Sequence, residues 1–152
     1  MAKLIMVYTS MTGNTEEMAD AIVEGIKEEG FDIEVKEVLD ADAEELEAYD
    51  GILLGAYTWG DGELPDDFLD FYDDMEDIDL SGKKAAVFGS CDSNYEKYGA
   101  AVDILIDRLK EIGAEVVLEG LKIELAPSNE ERETCKQFGK RFVQSVVATE
   151  QA

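Results

Sequence analysis

The chain has 152 residues, 45% of them hydrophobic and 33% charged, with a formal net charge of -24 and no histidine. That length and apolar fraction suit one globular domain, residues 1–152, rather than a disordered acidic tail. The charge argues against nucleic acid, whose phosphates are bound by Lys and Arg, while the missing histidine excludes Ser-His-Asp and Cys-His triads and removes the commonest imidazole ligand; neither a catalytic residue nor a metal site is expected.

No stretch approaches the roughly 20 apolar residues that cross a bilayer. Lys3 is followed only by Leu4 to Tyr8 before polar residues begin, so neither a membrane anchor nor a signal peptide is expected, and the protein is read as cytoplasmic. Cys91 and Cys135 lack the close spacing of a metal or dithiol motif and are read as unpaired thiols. The acidic charge is uneven: residues 1–76 hold 23 acidic and 3 basic side chains, residues 77–152 hold 14 and 10, and Asp61 to Asp79 holds ten carboxylates with no Lys or Arg.

In chain order, Leu4, Ile5, Met6, Val7 and Tyr8 form a continuous apolar run, which predicts a strand buried on both faces of a parallel sheet. Met18, Ala19, Ile22 and Ile26 then recur at helical spacing, and Gly30 stands where that helix releases the chain. Phe31, Ile33 and Val35 alternate with charged residues, which predicts a strand over 31–37 with one face or edge nearer water. Ile52 to Leu54 is a second buried run. Phe68, Phe71, Tyr72 and Met75 form the next helical stripe, Ala85 to Phe88 the next buried strand, and Val102, Leu105, Ile106, Leu109 and Ile112 a third stripe released at Gly113. Val116 to Leu118 predicts a fifth strand, followed after Gly120 by a second alternating piece, Leu121, Ile123 and Leu125. Cys135, Phe138, Phe142 and Val146 form the last stripe, and Pro65 and Pro127 each precede a helical pattern.

This alternation predicts an α/β, doubly wound, three-layer sandwich: a five-stranded parallel sheet with helices on both faces and right-handed crossovers. With strand 31–37 at an edge, the order is 2-1-3-4-5. The chain then winds in opposite directions from strands 1 and 3, leaving a crevice at their carboxyl ends where ligands bind.

Three loops meet there. The first, Thr9-Ser10-Met11-Thr12-Gly13-Asn14-Thr15, is uncharged and rich in hydroxyls. A helix opening near Gly13 offers unpaired N–H groups and a positive dipole end, which attract a phosphate, and Ser10, Thr12, Asn14 and Thr15 extend that cradle. It has neither the lysine of a GxxxxGK[ST] loop nor the glycines of GxGxxG, which suits a phosphate held as an anchor. An ordinary helix cap is the plainer alternative, since Ser, Thr and Asn are common cap residues, but one cap accounts for one such residue and not five. The second loop, Ala56 to Gly62, holds the lone tryptophan, Trp59; the third, Gly89 to Gly99, holds Tyr95 and Tyr98. Trp59 packed over its own loop is again the plainer alternative. If both loops flank one crevice, a planar ring fits between Trp59 and a tyrosine, and Gly60 and Gly62 let the backbone approach it. A phosphate monoester at one end and a flat aromatic at the other match flavin mononucleotide, FMN.

These motifs, Thr9-Ser10-Met11-Thr12-Gly13-Asn14-Thr15, Thr58-Trp59-Gly60-Asp61-Gly62 and Gly89-Ser90-Cys91-Asp92-Ser93-Asn94-Tyr95, taken together and in this order, resemble those of the short-chain flavodoxins, and the resemblance covers essentially the whole chain. Flavodoxins are the standing example of the 2-1-3-4-5 order with FMN at the switch point, so the topology is recognised as well as derived. The resemblance implies that Ser10, Thr12, Asn14 and Thr15 bind the phosphate with the backbone of Met11 and Gly13. It implies that Thr58 approaches the ribityl chain, that Trp59 covers the inner ring face and Tyr95 the outer, and that the backbone of Ser90, Cys91, Asp92 and Gly99 meets the pyrimidine edge. Met11 departs from the more usual small polar residue. Tyr98 competes with Tyr95 for the outer face, and Tyr95 is preferred. The Gly60 carbonyl is implied to turn toward flavin N5-H in the semiquinone, and Asp61, Asp92 and the acidic field to disfavour an anionic reduced ring.

The implied activity is that of a low-potential one-electron carrier, cycling FMN between quinone, semiquinone and hydroquinone, with the chemistry supplied by the cofactor. Its implied partners are basic-patched redox proteins, such as flavodoxin or ferredoxin reductases and acceptor oxidoreductases, steered to a monomer by the carboxylates between Asp61 and Asp79; the plainer reading of that run is a solvated helix face. A response-regulator receiver is disfavoured, because Thr9-Ser10 and Gly55-Ala56 stand where its acidic pair and phosphorylated aspartate belong. An FMN-dependent NAD(P)H-quinone reductase remains the alternative, although such enzymes are generally longer.

Overall fold

The computed structural model describes residues 3–9, 14–57, 66–91, 100–124 and 128–151. The chain runs β1 (Leu4–Tyr8), α1 (Asn14–Glu28), β2 (Glu34–Glu37), β3 (Gly51–Gly55), α2 (Asp66–Asp74), β4 (Lys84–Cys91), α3 (Ala100–Glu111), β5 (Glu115–Val116), β6 (Leu121–Glu124) and α4 (Asn129–Gln151). Short 3-10 segments occupy Val38–Asp40, Ala43–Ala48 and Met75–Asp77. The strands pair in parallel in the order β2-β1-β3-β4-β5, and β6 also pairs with β4.

Why the sheet is buried on both sides follows from strand periodicity, which sends successive side chains to opposite faces. Ile5, Val7, Ile52, Leu54, Ala85 and Val87 join one apolar cluster with Phe68, Phe71 and Met75 of the α2 region and Val102, Leu105 and Leu109 of α3. Leu4, Met6, Tyr8, Leu53, Ala86 and Phe88 join the other, with Met18, Ile22 and Ile26 of α1 and Cys135, Phe138, Phe142 and Val146 of α4. Fully burying such a side chain is worth roughly 1.5–3 kcal/mol, against about 0–1 kcal/mol for an exposed ion pair. The two apolar layers therefore dominate.

Two predicted strands are redrawn. The strand expected over 31–37 begins at Glu34, because the Phe31 N–H bonds the Ile26 carbonyl (3.4 Å) as part of the α1 terminus, while Phe31 and Ile33 pack against the α1/α4 layer. It is the edge strand, as expected, with Val35 41% exposed. The fifth strand, expected at Val116 to Leu118, shortens to β5, Glu115–Val116, and the second alternating piece expected after Gly120 forms β6, Leu121–Glu124. Val117 and Leu118 both pack toward the α1/α4 layer, whereas Val116 packs toward the other. Two consecutive residues on one side break the alternation of a strand, and pairing with β4 resumes at Leu121. Leu125, Pro65 and Pro127 lie outside the described residues.

Gly30 and Gly113 do end helices, with φ of 86° and 96°. Where α1 crosses α4, a methyl group on Gly25 would overlap the Lys136 carbonyl and one on Gly139 would overlap the Ile22 carbonyl, so the two backbones meet in a reciprocal glycine contact. Around it, Lys136 bridges Glu24 (3.2 Å) and Glu28 (3.3 Å), and Lys140 bridges Glu28 (3.2 Å). Among the described residues, no helix is long and apolar enough to cross a membrane.

Candidate functional site

β1 and β3 end level with each other, opposite Phe88 of β4. Tyr8 lies opposite Gly55, and Gly55 opposite Phe88. The ladder continues one step further, with the Thr9 N–H donating to the Gly55 carbonyl (3.0 Å) and the Ala56 N–H to the Phe88 carbonyl (3.2 Å). Thr9 is buried among these strand ends. β4 runs on past this line to Ser90 and Cys91, where it pairs with Ile123 and Glu124.

The head of α1 arrives at the same place. Because Ala86 and Phe88 face α1, strand alternation turns Ser90 to that side as well. Its hydroxyl lies 2.8 Å from the Thr15 hydroxyl, a buried hydrogen bond between residues 75 apart in sequence. Thr15 is 1% exposed and Ser90 5%. Asn14 opens α1 just beside it, so the positive end of the 15-residue helix dipole lies at these strand ends.

The surroundings are negative. Burial raises the pKa of the Tyr8 phenol above its ordinary value, and Glu16, Glu37 and Asp20 push it further in the same direction. Arg132 of α4 sits 3.3 Å from Glu17 of the first turn. Among the described residues, no group of three or more His, Cys, Asp or Glu is arranged to hold a metal ion.

Of the residues singled out in the sequence, Thr15 and Ser90 are brought together, Asn14 starts the helix and Cys91 ends β4. Ser10, Met11, Thr12, Gly13, Thr58, Trp59, Gly60, Asp61, Asp92, Tyr95, Tyr98 and Gly99 lie outside the described residues. The sequence reading used only the backbone of Ser90. Strand parity within Ala85 to Ser90 is the signal that its hydroxyl turns toward α1.

A family model described as flavodoxin matches residues 6–139. The chain belongs to the flavodoxin family. It is 49% identical over 143 residues, 93% of this chain and 95% of the relative, to "Probable flavodoxin 2" of Bacillus subtilis (strain 168). It is 42% identical to the flavodoxin of Maridesulfovibrio salexigens, over 86% of this chain and 92% of that protein. Among solved structures, oxidised Flavodoxin 1 from Bacillus cereus superposes with a TM-score of 0.92 at 64% identity, covering 94% of this chain and 98% of that one.

Flavodoxins bind FMN and transfer electrons; they are not enzymes, and this chain is accordingly an FMN-binding electron carrier. The donor chemistry at the strand ends fits the cofactor. A buried hydroxyl at the head of a helix suits a phosphate monoester, which favours hydroxyl and N–H donors at a helix N-terminus. FMN supplies the electron chemistry when bound.

Proposed function

We propose that this flavodoxin is a low-potential one-electron carrier whose FMN spans the crevice from the head of α1 to the loops after β3 and β4. Ser10, Thr12, Asn14 and Thr15, with the backbone of Met11 and Gly13, hold the phosphate, and Thr58 meets the ribityl chain. Trp59 covers one ring face and Tyr95, rather than Tyr98, the other. The backbone of Gly60 approaches the ring's central nitrogen, and that of Ser90, Cys91, Asp92 and Gly99 its pyrimidine edge. The observation that supports this most is the buried Thr15 to Ser90 hydrogen bond, which joins the phosphate-loop helix to the strand that launches the third loop.

The low potential follows from electrostatics. A phosphate held by hydroxyls and N–H groups keeps its negative charge, and it sits in a chain of net charge -24. Adding an electron to a ring near that field is disfavoured. Exposed carboxylates of the α2 region, Asp70, Asp73, Asp74, Glu76 and Asp77, suit electron partners with basic patches. The same reading makes the chain a single domain over residues 1–152, monomeric and cytoplasmic.

Reconstitution tests it. Apoprotein mixed with FMN should turn yellow and quench flavin fluorescence at one equivalent, and stepwise reduction should separate two one-electron steps, the second at low potential. Protein that took up no FMN would sink the reading, and steady NAD(P)H-quinone turnover by the purified protein would favour the reductase alternative.

A further inference from the structure

We infer that the Ser90 hydroxyl is a positioning group for the phosphate end of the FMN site, acting through Thr15 rather than on the phosphate itself, whereas only the Ser90 backbone is assigned to the ring. The inference rests on the reading of the α1 head as that end. Two hydroxyls 2.8 Å apart share one hydrogen bond, and either can donate. If Thr15 donates to Ser90, its only proton is spent inside the protein. If Ser90 donates to Thr15, the Thr15 O–H is left to point elsewhere.

An anion at the head of α1 selects between these arrangements. It accepts from Thr15, so Thr15 must accept from Ser90, and the pair becomes a polarised chain of donors running from β4 to the phosphate. Such a chain is stronger in a buried setting, where hydrogen bonds reinforce one another and water does not compete. Thr15 and Ser90 are 1% and 5% exposed, so both conditions hold. Ser90 also stands near the end of β4, immediately before the loop assigned to the ring. One buried hydroxyl pair thereby links the phosphate loop to the ring loop.

The test compares FMN with riboflavin, which carries the same ring without the phosphate. Apoprotein of the wild type, Ser90→Ala, Thr15→Val and the double variant is titrated with each flavin by fluorescence quenching. Ser90→Ala should lower the ratio of FMN to riboflavin affinity roughly tenfold, the scale of one charge-assisted hydrogen bond, and should add little once Thr15→Val is present. Should the alanine variant not fold, Ser90→Cys keeps a side chain at the position but donates weakly, and should lower the same ratio. An unchanged ratio, with both flavins weakened equally or neither, overturns the inference, as does full additivity with Thr15→Val. Wild-type apoprotein that binds no FMN overturns instead the site reading beneath it, and the inference with it.

Discussion

The Arg108 guanidinium of α3 stacks over the Tyr72 ring of α2, its central carbon 4.1 Å from the ring centroid. Arg108 is 8% exposed, and its Nη1 also reaches Glu76 (3.2 Å) and Glu111 (3.0 Å), both mostly in solvent. Screened carboxylates contribute little, whereas a desolvated cation over a ring is worth about 2 kcal/mol. Arg108→Lys, which loses the planar stack, should cost about 1–2 kcal/mol in urea unfolding. Glu76→Gln and Glu111→Gln should each cost under about 0.5 kcal/mol. The reverse ranking would show that the ion pairs, not the stack over Tyr72, are the stabilising contacts of Arg108.

Gly25 and Gly139 give a prediction of sign. In an exposed helix, Gly→Ala stabilises by about 1 kcal/mol. Here the added methyl meets a carbonyl of the facing helix, so either substitution should instead destabilise by about 1–3 kcal/mol. Thermal unfolding decides it, and a raised Tm for Gly25→Ala would mean that α1 and α4 are not in backbone contact.

The α1/α4 ion pairs predict a pH dependence. Hydrogen bonds from Lys140 and Lys136 hold the Glu28 carboxyl below its ordinary pKa. A folded pKa below the unfolded one contributes stability that is present above the unfolded carboxylate pKa and is lost as pH falls through the folded value. The stability difference between wild type and Glu28→Gln should therefore shrink as pH drops through the acid range. A difference constant with pH would show that Glu28 is not paired in solution.

Cys135 should be inert. Burial, reinforced by Glu131, pushes its thiol up to about 12, and the side chain is fully covered by α1 and the sheet. Because the thiolate is the reactive form, iodoacetamide near pH 8 should leave Cys135 unmodified in native protein and label it once urea unfolds the chain. Peptide mapping by mass spectrometry reads the site directly, and rapid native labelling at Cys135 would show that the α4 face opens.

The acidic surface should govern association rates. Replacing the exposed Asp70 and Asp73 by Lys should slow electron transfer to a basic-patched partner severalfold at low ionic strength and flatten its salt dependence. Stopped-flow rates unaffected by both salt and substitution would rule out steering by the α2 region.

Much of this molecule is legible locally. The stripe Met18, Ala19, Ile22 and Ile26 is buried as its spacing required, and so is Cys135, Phe138, Phe142 and Val146, because a helix face is set by residues within one or two turns. The runs Leu4 to Tyr8 and Ile52 to Leu54 are buried on both faces for a similarly short-range reason. Even the crevice follows from the order of elements, since opposite winding from β1 and β3 leaves a gap whatever fills it.

Pairings between distant segments are another matter. No local pattern says that Thr15 bonds Ser90 or that Arg108 covers Tyr72, because each depends on how two separately formed elements are set against one another. The early end of the fifth strand has the same origin: Val117 and Leu118 look like strand residues, but both turn toward the α1/α4 layer. For TSMTGNT, the sequence by itself determined a neutral, donor-rich loop at the head of a helix. Only the tertiary structure decided that its last threonine is tied to β4, because a buried hydroxyl takes the partner that folding brings within reach.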